Sequence, residues 1–286
     1  MDNKKRTFLR FPNFLYKAVT LSYDDGVKYD RRLLEIISKY GLKCTFNINS
    51  GSYGKTEDSL RMTKETAVNL FKSFDCEIAV HGEHHVSLAE VDSAMAVKDI
   101  IYDRNELEKT FNCLVRGFAY ANGSINDDAV ENLKRCGIVY ARTTKSSLAF
   151  TLPTDWLRLM PTAHHKQPDL FNLVDEFLKD YDENRFAWSY SPKLFYLWGH
   201  SYEFNDDNNW EIIEEFSKKI GGRKDVWYAT NIEIYEYVKA YDSLVFSVDG
   251  EKVYNPTCTD VYICYFNKNY LIPKGATVKI EPLWKR

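Results

Sequence analysis

The chain has 286 residues, 44% apolar and 28% charged, enough to bury a core and far from the composition of a disordered chain. At roughly 150 residues per domain it allows one large domain or two ordinary ones. Lys and Arg number 38 against 41 Asp and Glu, a net charge of −3, without the positive surplus that a sequence-independent nucleic-acid binder needs; no apolar run approaches the ~18 residues of a membrane-spanning helix.

The first residues, MDNKKRTFLRFPNFLY, carry a basic head, but Arg10, Pro12 and Asn13 break the apolar stretch that a secretory signal requires. This start leads to the expectation of a cytoplasmic protein; a chain whose leader had been removed would begin the same way. Six cysteines at 44, 76, 113, 136, 258 and 264 form no CxxC pair and read as reduced thiols. Aromatic content is high, with 20 Tyr, 17 Phe and 6 Trp, as in sugar-binding clefts and in large cores.

From residue 18 onward, short β-rich apolar runs alternate with helical stripes. The runs are 18–23, 44–48, 76–81, 115–121, 138–142, 194–198 and 226–229, with 157–160 a weaker eighth. The helical stretches are 29–40, 66–74, 91–111, 127–136, 170–181, 210–220 and 232–241; Asp127 and Asn231 are plausible caps, and Gly41, Gly137 and Gly221 plausible stops. Such alternation predicts parallel strands with helical crossovers, a closed and irregular (β/α) barrel ahead of a doubly wound open sheet. After Tyr241 the pattern changes to strands alone at 244–248, 252–254, 261–266 and 277–281, with Asp249-Gly250 as a hairpin signal. The expected domains are therefore a barrel over 1–241 and a small β appendage over 242–286 that leans on it.

Four segments carry possible chemistry. Ser22-Tyr-Asp24-Asp25-Gly26 ends the first run; alone it reads as a turn, but barrel enzymes place their catalytic groups at that end of a strand. His81-Gly-Glu-His-His85 ends the third run, and one helical turn there would put His81 and His85 on one side. The order is not HExxH, so a metalloprotease reading fails. One aspartate and two histidines suit zinc or a similar first-row ion and leave a position open for water, with the other aspartate as a base. Arg116-Gly-Phe-Ala-Tyr120-Ala-Asn122-Gly123 lies at the fourth run, and His200 follows the late run 194–198. Ala163-His164-His165 reads as a surface loop, with lining of the cleft as the alternative. The acidic stretch 203–210 reads as a solvated loop capping the next helix, with a substrate role left open by its place just beyond His200. Tyr53, Trp188 and Tyr202 read as packing or sugar-facing rings.

In this order, SYDDG, HxxxH, Arg followed by FAYxxG, and a late histidine resemble the polysaccharide deacetylases, carbohydrate esterase family four, over about residues 17–240. The resemblance implies a distorted (β/α) barrel and one divalent ion, zinc first with cobalt or nickel as alternatives, held by Asp25, His81 and His85. It implies Asp24 as general base, Arg116 holding Asp24, His200 as general acid, and the main chain near Asn122 stabilising the oxyanion, with Tyr120 on the same segment. It also implies an acid and a tryptophan that steady the histidine and wall the pocket, for which Asp155-Trp156 is the candidate. Ser22-Tyr23 stands where the family usually has Thr-Phe, Gly82 replaces a Ser or Thr that braces the loop, and Ala121 replaces a proline. His84 is extra and can take the place of His85 if the segment is not helical. The implied activity is removal of acetyl groups, N- or O-linked, from an amino sugar, oligosaccharide or polysaccharide. The rival readings are a cyclic amide or imide hydrolase on the same fold and a catalytically silent carbohydrate-binding protein.

Overall fold

The structure, a computed structural model, describes residues 6–180 and 191–281. After β1 (Leu9–Arg10), β2 (Lys17–Asp24) is buried along its whole length, as expected of a central parallel strand covered on both faces. Then follow α1 (Asp30–Ser38), β3 (Cys44–Ile48), α2 (Lys64–Lys72), β4 (Glu77–Val80), α3 (Ser93–Phe111), β5 (Gly117–Ala119), α4 (Asp127–Arg135) and β6 (Tyr140–Arg142). Next come β7 (Ala163–His164), α5 (Leu170–Leu178), β8 (Lys193–Gly199), α6 (Ser201–Asp206), α7 (Glu211–Ile220), β9 (Val226–Tyr228) and α8 (Asn231–Asp242). The stripe of α1 buries Leu33, Leu34, Ile36 and Ile37, as its spacing predicts. Two caps lie one residue earlier than expected: Asn126 accepts from Ala129 N at the start of α4, and Thr230 with Glu233 forms a capping box on α8.

The sheet order is β6-β5-β4-β3-β2-β8-β7, all parallel, with β9 paired to the first half of β2. The gap between the edges is spanned by one segment. Leu159 bridges to Arg142 of β6, and four residues later Ala163 pairs with Leu197 of β8. The result is the distorted barrel that the alternation predicts. The weak strand candidate at 157–160 is instead a short 3-10 turn, Trp156–Arg158, ending in that bridge.

The last residues build two three-stranded antiparallel sheets from β10 (Val245–Phe246), β11 (Lys252–Tyr254), β12 (Val261–Tyr265), β13 (Lys268–Ile272) and β14 (Thr277–Lys279). The N-terminal β1 joins them by pairing with β12, so the appendage is made from both ends of the described chain. Val253, Val261, Ile263 and Ile272 share one apolar cluster with Leu9, Phe11, Tyr237 and Tyr241, so the small sheets rest on α8 and the lower barrel. The strand β13 has no counterpart in the sequence reading: only Ile272 of its five residues is buried, so it carries no apolar alternation.

At the lower mouth, Glu77 accepts from Tyr140 Oη (2.7 Å), Thr45 Oγ1 (2.8 Å) and Ile232 N (2.9 Å). Burial pushes its carboxyl up to about 7. Gly117 makes this possible, since a Cβ there would lie 2.1 Å from Tyr140 Oη. Gly117→Ala should therefore destabilise the fold by about 1–3 kcal/mol, as overpacking does, read as a lower midpoint in urea unfolding; an unchanged midpoint would contradict this packing.

Candidate active site

Every strand of the barrel ends at one rim, and the chemistry gathers there. Asp24 is the last residue of β2, level with Asn47 of β3. Its carboxylate is buried and accepts from Arg142 Nη2 (2.5 Å) and Asn47 Nδ2 (2.8 Å). His81 Nε2 and His200 Nε2 stand 3.9 and 3.8 Å from its Oδ2. Burial pushes the carboxyl up, but Arg142, His81 and His200 outweigh it and hold the group at about 2. Asp24 is thus an anion at neutral pH, the form of a carboxyl group that can accept a proton.

Asp25, His81 and His85 each offer a donor atom, and the three atoms lie within 4.8 Å of one another. The segment 81–85 is a turn, not the helical turn expected. It brings the imidazoles together through positive φ at Gly82 (84°) and His85 (56°), leaving the rings edge-on at 4.7 Å. His84 is solvent-facing, beside Glu83 and Asp99, and does not replace His85.

The tautomer of His81 is set by its neighbour. Its Nδ1 lies 2.9 Å from the carbonyl of Ala119, which can only accept, so Nδ1 carries the hydrogen. Nε2 is left with its lone pair, buried and without a hydrogen-bond partner. Burial, above all, lowers the pKa of this imidazole, which favours the neutral form. An imidazole tied at one nitrogen to a carbonyl and bare at the other is the arrangement of a metal-ligating histidine. One carboxylate and two imidazoles are a donor set for zinc-like ions.

A second group, His164, His200 and Glu203, is equally compact, but its hydrogens point the other way. The main-chain N–H of Lys166 donates to His164 Nδ1 (3.1 Å), so His164 carries its hydrogen on Nε2, which faces Glu203 Oε2 at 3.2 Å. That nitrogen is a donor to the carboxylate, and the group is a hydrogen-bond cluster around Glu203. Glu203 Oε2 also accepts from His200 N and Nδ1, both at 3.2 Å. Burial raises the Glu203 carboxyl, and the bonds from His164 and His200 more than reverse this, leaving it well below the usual range. Burial pulls His200 down in turn, but Glu203 and Asp24 outweigh it and raise its pKa above the ordinary value. His165, pressed between Phe204 (4.0 Å) and Tyr23 (5.8 Å), is lowered by burial to about 3 and stays neutral.

Three expectations are corrected. Arg116 does not hold Asp24. It precedes β5 at the opposite end of the barrel and pairs with Glu236, while Arg142, which ends β6 at the rim, takes the position beside Asp24 and lies over the ring of Trp198 at 4.2 Å. Asp155 and Trp156 do not steady His200. Asp155 caps the 156–158 turn and pairs with Arg158, and Trp156 is buried edge-on against Tyr235. The acid at His200 is Glu203, three residues on, and a nearby tryptophan is Trp198, 6.0 Å from the imidazole. The histidines 164 and 165 are not a surface loop: His165 is buried, and His164 ends β7.

The remaining positions are mixed. Tyr120 is buried, with its hydroxyl donating to the carbonyl of Leu157, so its ring does not line the site. Asn122 sits at the rim in a left-handed conformation (φ 56°), its side chain donating to Ser87. Tyr202 flanks His200 at 5.2 Å, Tyr53 packs half-buried against the core, and Trp188 lies outside the described residues. A cleft of about 770 Å³ opens next to Asn122 and Arg142, lined by Gly123, Thr143, Thr144, Lys145, Asp155 and Arg158 among others.

A parallel barrel whose acids and imidazoles meet at the C-terminal rim is the architecture in which barrel enzymes hold their catalytic groups. Residues 13–141 match the family model of the polysaccharide deacetylases. The fold is similar to that of a Mycobacterium smegmatis protein assigned as a polysaccharide deacetylase, at 17% identity and TM-score 0.57, covering 82% of this chain and 94% of that one. It is also similar to a mutant, with restored enzymatic activity, of a family-four pseudoenzyme of Bacillus anthracis, at 16% identity and TM-score 0.50, covering 80% and 70%. The chain spans about half the length of other matched proteins, 55% of a Streptococcus pyogenes deacetylase (20% identity, TM-score 0.41, 44% of this chain). No curated protein matches the chain.

Two outcomes follow from this geometry. Arg142→Met leaves Asp24 buried without its cation and should cost about 3–5 kcal/mol of stability, whereas Arg116→Met should cost under about 1 kcal/mol; equal losses in denaturant unfolding would contradict the placement. Glu203→Gln should lower the pKa of His200, followed by its ring resonances in an NMR titration. A pKa that stays put or rises would show that Glu203 does not sustain the imidazolium.

Proposed function

We propose that the chain is a metal-dependent hydrolase that removes acetyl groups from an amino sugar, oligosaccharide or polysaccharide. The observation that carries the reading is the meeting of Asp25, His81 and His85 with Asp24 and His200 at one rim, with a bare, buried Nε2 on His81. Asp25, His81 and His85 would hold a divalent ion, zinc first and cobalt or nickel as alternatives. Such an ion, when bound, supplies Lewis acidity and a more acidic water.

The chain's own groups do the rest. Asp24, anionic and fixed by Arg142 and Asn47, accepts the proton of the attacking water. His200, whose pKa Glu203 raises, gives a proton to the leaving nitrogen or oxygen, which departs poorly without one. The bond from the acetyl carbon to that atom breaks, and acetate and a free amine or hydroxyl result. The main chain of the Asn122 turn is the donor proposed for the oxyanion. The cleft beside it, lined by threonine hydroxyls with Lys145 and Arg158, suits a neighbouring sugar unit.

The reading is tested by acetate release from chito-oligosaccharides and acetylated xylan, with and without chelator and added zinc or cobalt. Asp24→Asn should retain the ion and lose roughly 10²–10⁴-fold in turnover, while His81→Ala should lose both ion and turnover. Sugar binding without acetate release at any metal level would instead mark a silent binding protein. Ring opening of cyclic amides without acetate release would mark the other rival.

A further inference from the structure

The three donor residues come from loops that are not neighbours. Asp25 follows β2 and the two histidines follow β4, and β3 lies between those strands. Their spacing therefore depends on what the loop after β3 does. Asn49, buried in that loop, donates through Nδ2 to the carbonyls of His81 (2.9 Å) and Gly82 (2.8 Å). Its Oδ1 accepts from Arg61 Nη1 (2.8 Å). The same Nη1 donates to the carbonyl of Asp25 (2.8 Å), and Nη2 donates to Asp25 Oδ1 (2.9 Å). One continuous chain of hydrogen bonds thus runs from the Asp25 loop to the His81 loop. Asp25 needs such restraint, because it holds φ at 84°, a conformation that residues with a side chain rarely adopt.

We infer that Asn49 and Arg61 are positioning residues, a clasp that sets the distance between Asp25, His81 and His85 before any ion arrives, and that Arg61, by engaging Oδ1, leaves Asp25 one oxygen for ligation. The inference rests on the metal-centre reading above. Outer partners of this kind typically change metal affinity 10- to 100-fold when removed.

The sign of one substitution separates this role from plain electrostatics. Arg61 is a cation close to the ion's own ligand, so by charge alone Arg61→Met should tighten binding of a divalent ion. The clasp requires the opposite. Co²⁺ is titrated into the metal-free full chain and followed by its visible absorption, with thermal melting as the check on folding. Arg61→Met should bind about 10-fold more weakly or worse with an altered spectrum, and Arg61→Lys, which keeps the charge but not the fork of two nitrogens, should also weaken. Arg61 is 28% exposed, so both variants are expected to fold. Asn49→Ala should match them; if it fails to fold, the Arg61 pair decides alone. Affinity equal to or tighter than wild type in Arg61→Met, with an unchanged spectrum, overturns the clasp and leaves the metal centre standing. Absence of Co²⁺ binding by the wild type overturns the metal centre, and the clasp falls with it.

Discussion

A buried imidazole with one nitrogen tied to a carbonyl has a single lone pair left, and the direction of that lone pair sets what its surroundings can bind. In His81 the tie is made to Ala119 at the end of β5, and it follows from the parallel register of β4 and β5, in which Val80 stands beside Phe118. The free nitrogen then points toward Asp24 and the neighbouring donors. The contrast with His164 is instructive, since there a main-chain N–H occupies Nδ1 and forces the hydrogen onto Nε2. Two clusters of similar composition and compactness are thereby separated by hydrogen placement alone.

Asp24 imposes the second constraint. A buried carboxylate with a buried guanidinium adds little to stability compared with apolar packing. The surroundings divide the labour. Arg142 and Asn47 bond the Asp24 carboxylate, while Glu203, itself bonded by His164 and Lys166, accepts from His200 and raises its pKa. Asp24 and His200, 3.8 Å apart, also favour each other's charged forms.

Much of this was legible in the sequence because it is local. Asp24, Asp25, His81, His85 and His200 each follow a short apolar run, and the alternation of runs and stripes placed those ends on one rim. Arg116 and Arg142 show where such reading failed. Both flank strands, but Arg116 stands before its strand and Arg142 at the end, which puts them at opposite mouths of a parallel barrel; strand direction alone carried that information. Glu203 stands three residues after His200, a capping-box spacing that was read as a solvated loop. His164 and His165 read more readily as a loop because β7 is two residues long, too short for any periodicity, and is a strand through its pairing with β8. The contribution of the N-terminal β1 to the C-terminal sheets is a long-range pairing that no local pattern encodes.

X-ray absorption at the zinc edge on the protein loaded with one equivalent of Zn²⁺, together with anomalous diffraction from a crystal of that form, tests the central claim most directly. The account predicts one ion, with two imidazole nitrogens at about 2.0–2.1 Å and a carboxylate oxygen at about 2.0–2.2 Å, located between His81 Nε2, His85 and Asp25. An ion seated instead among His164, His200 and Glu203, or no ordered ion at all, would contradict it.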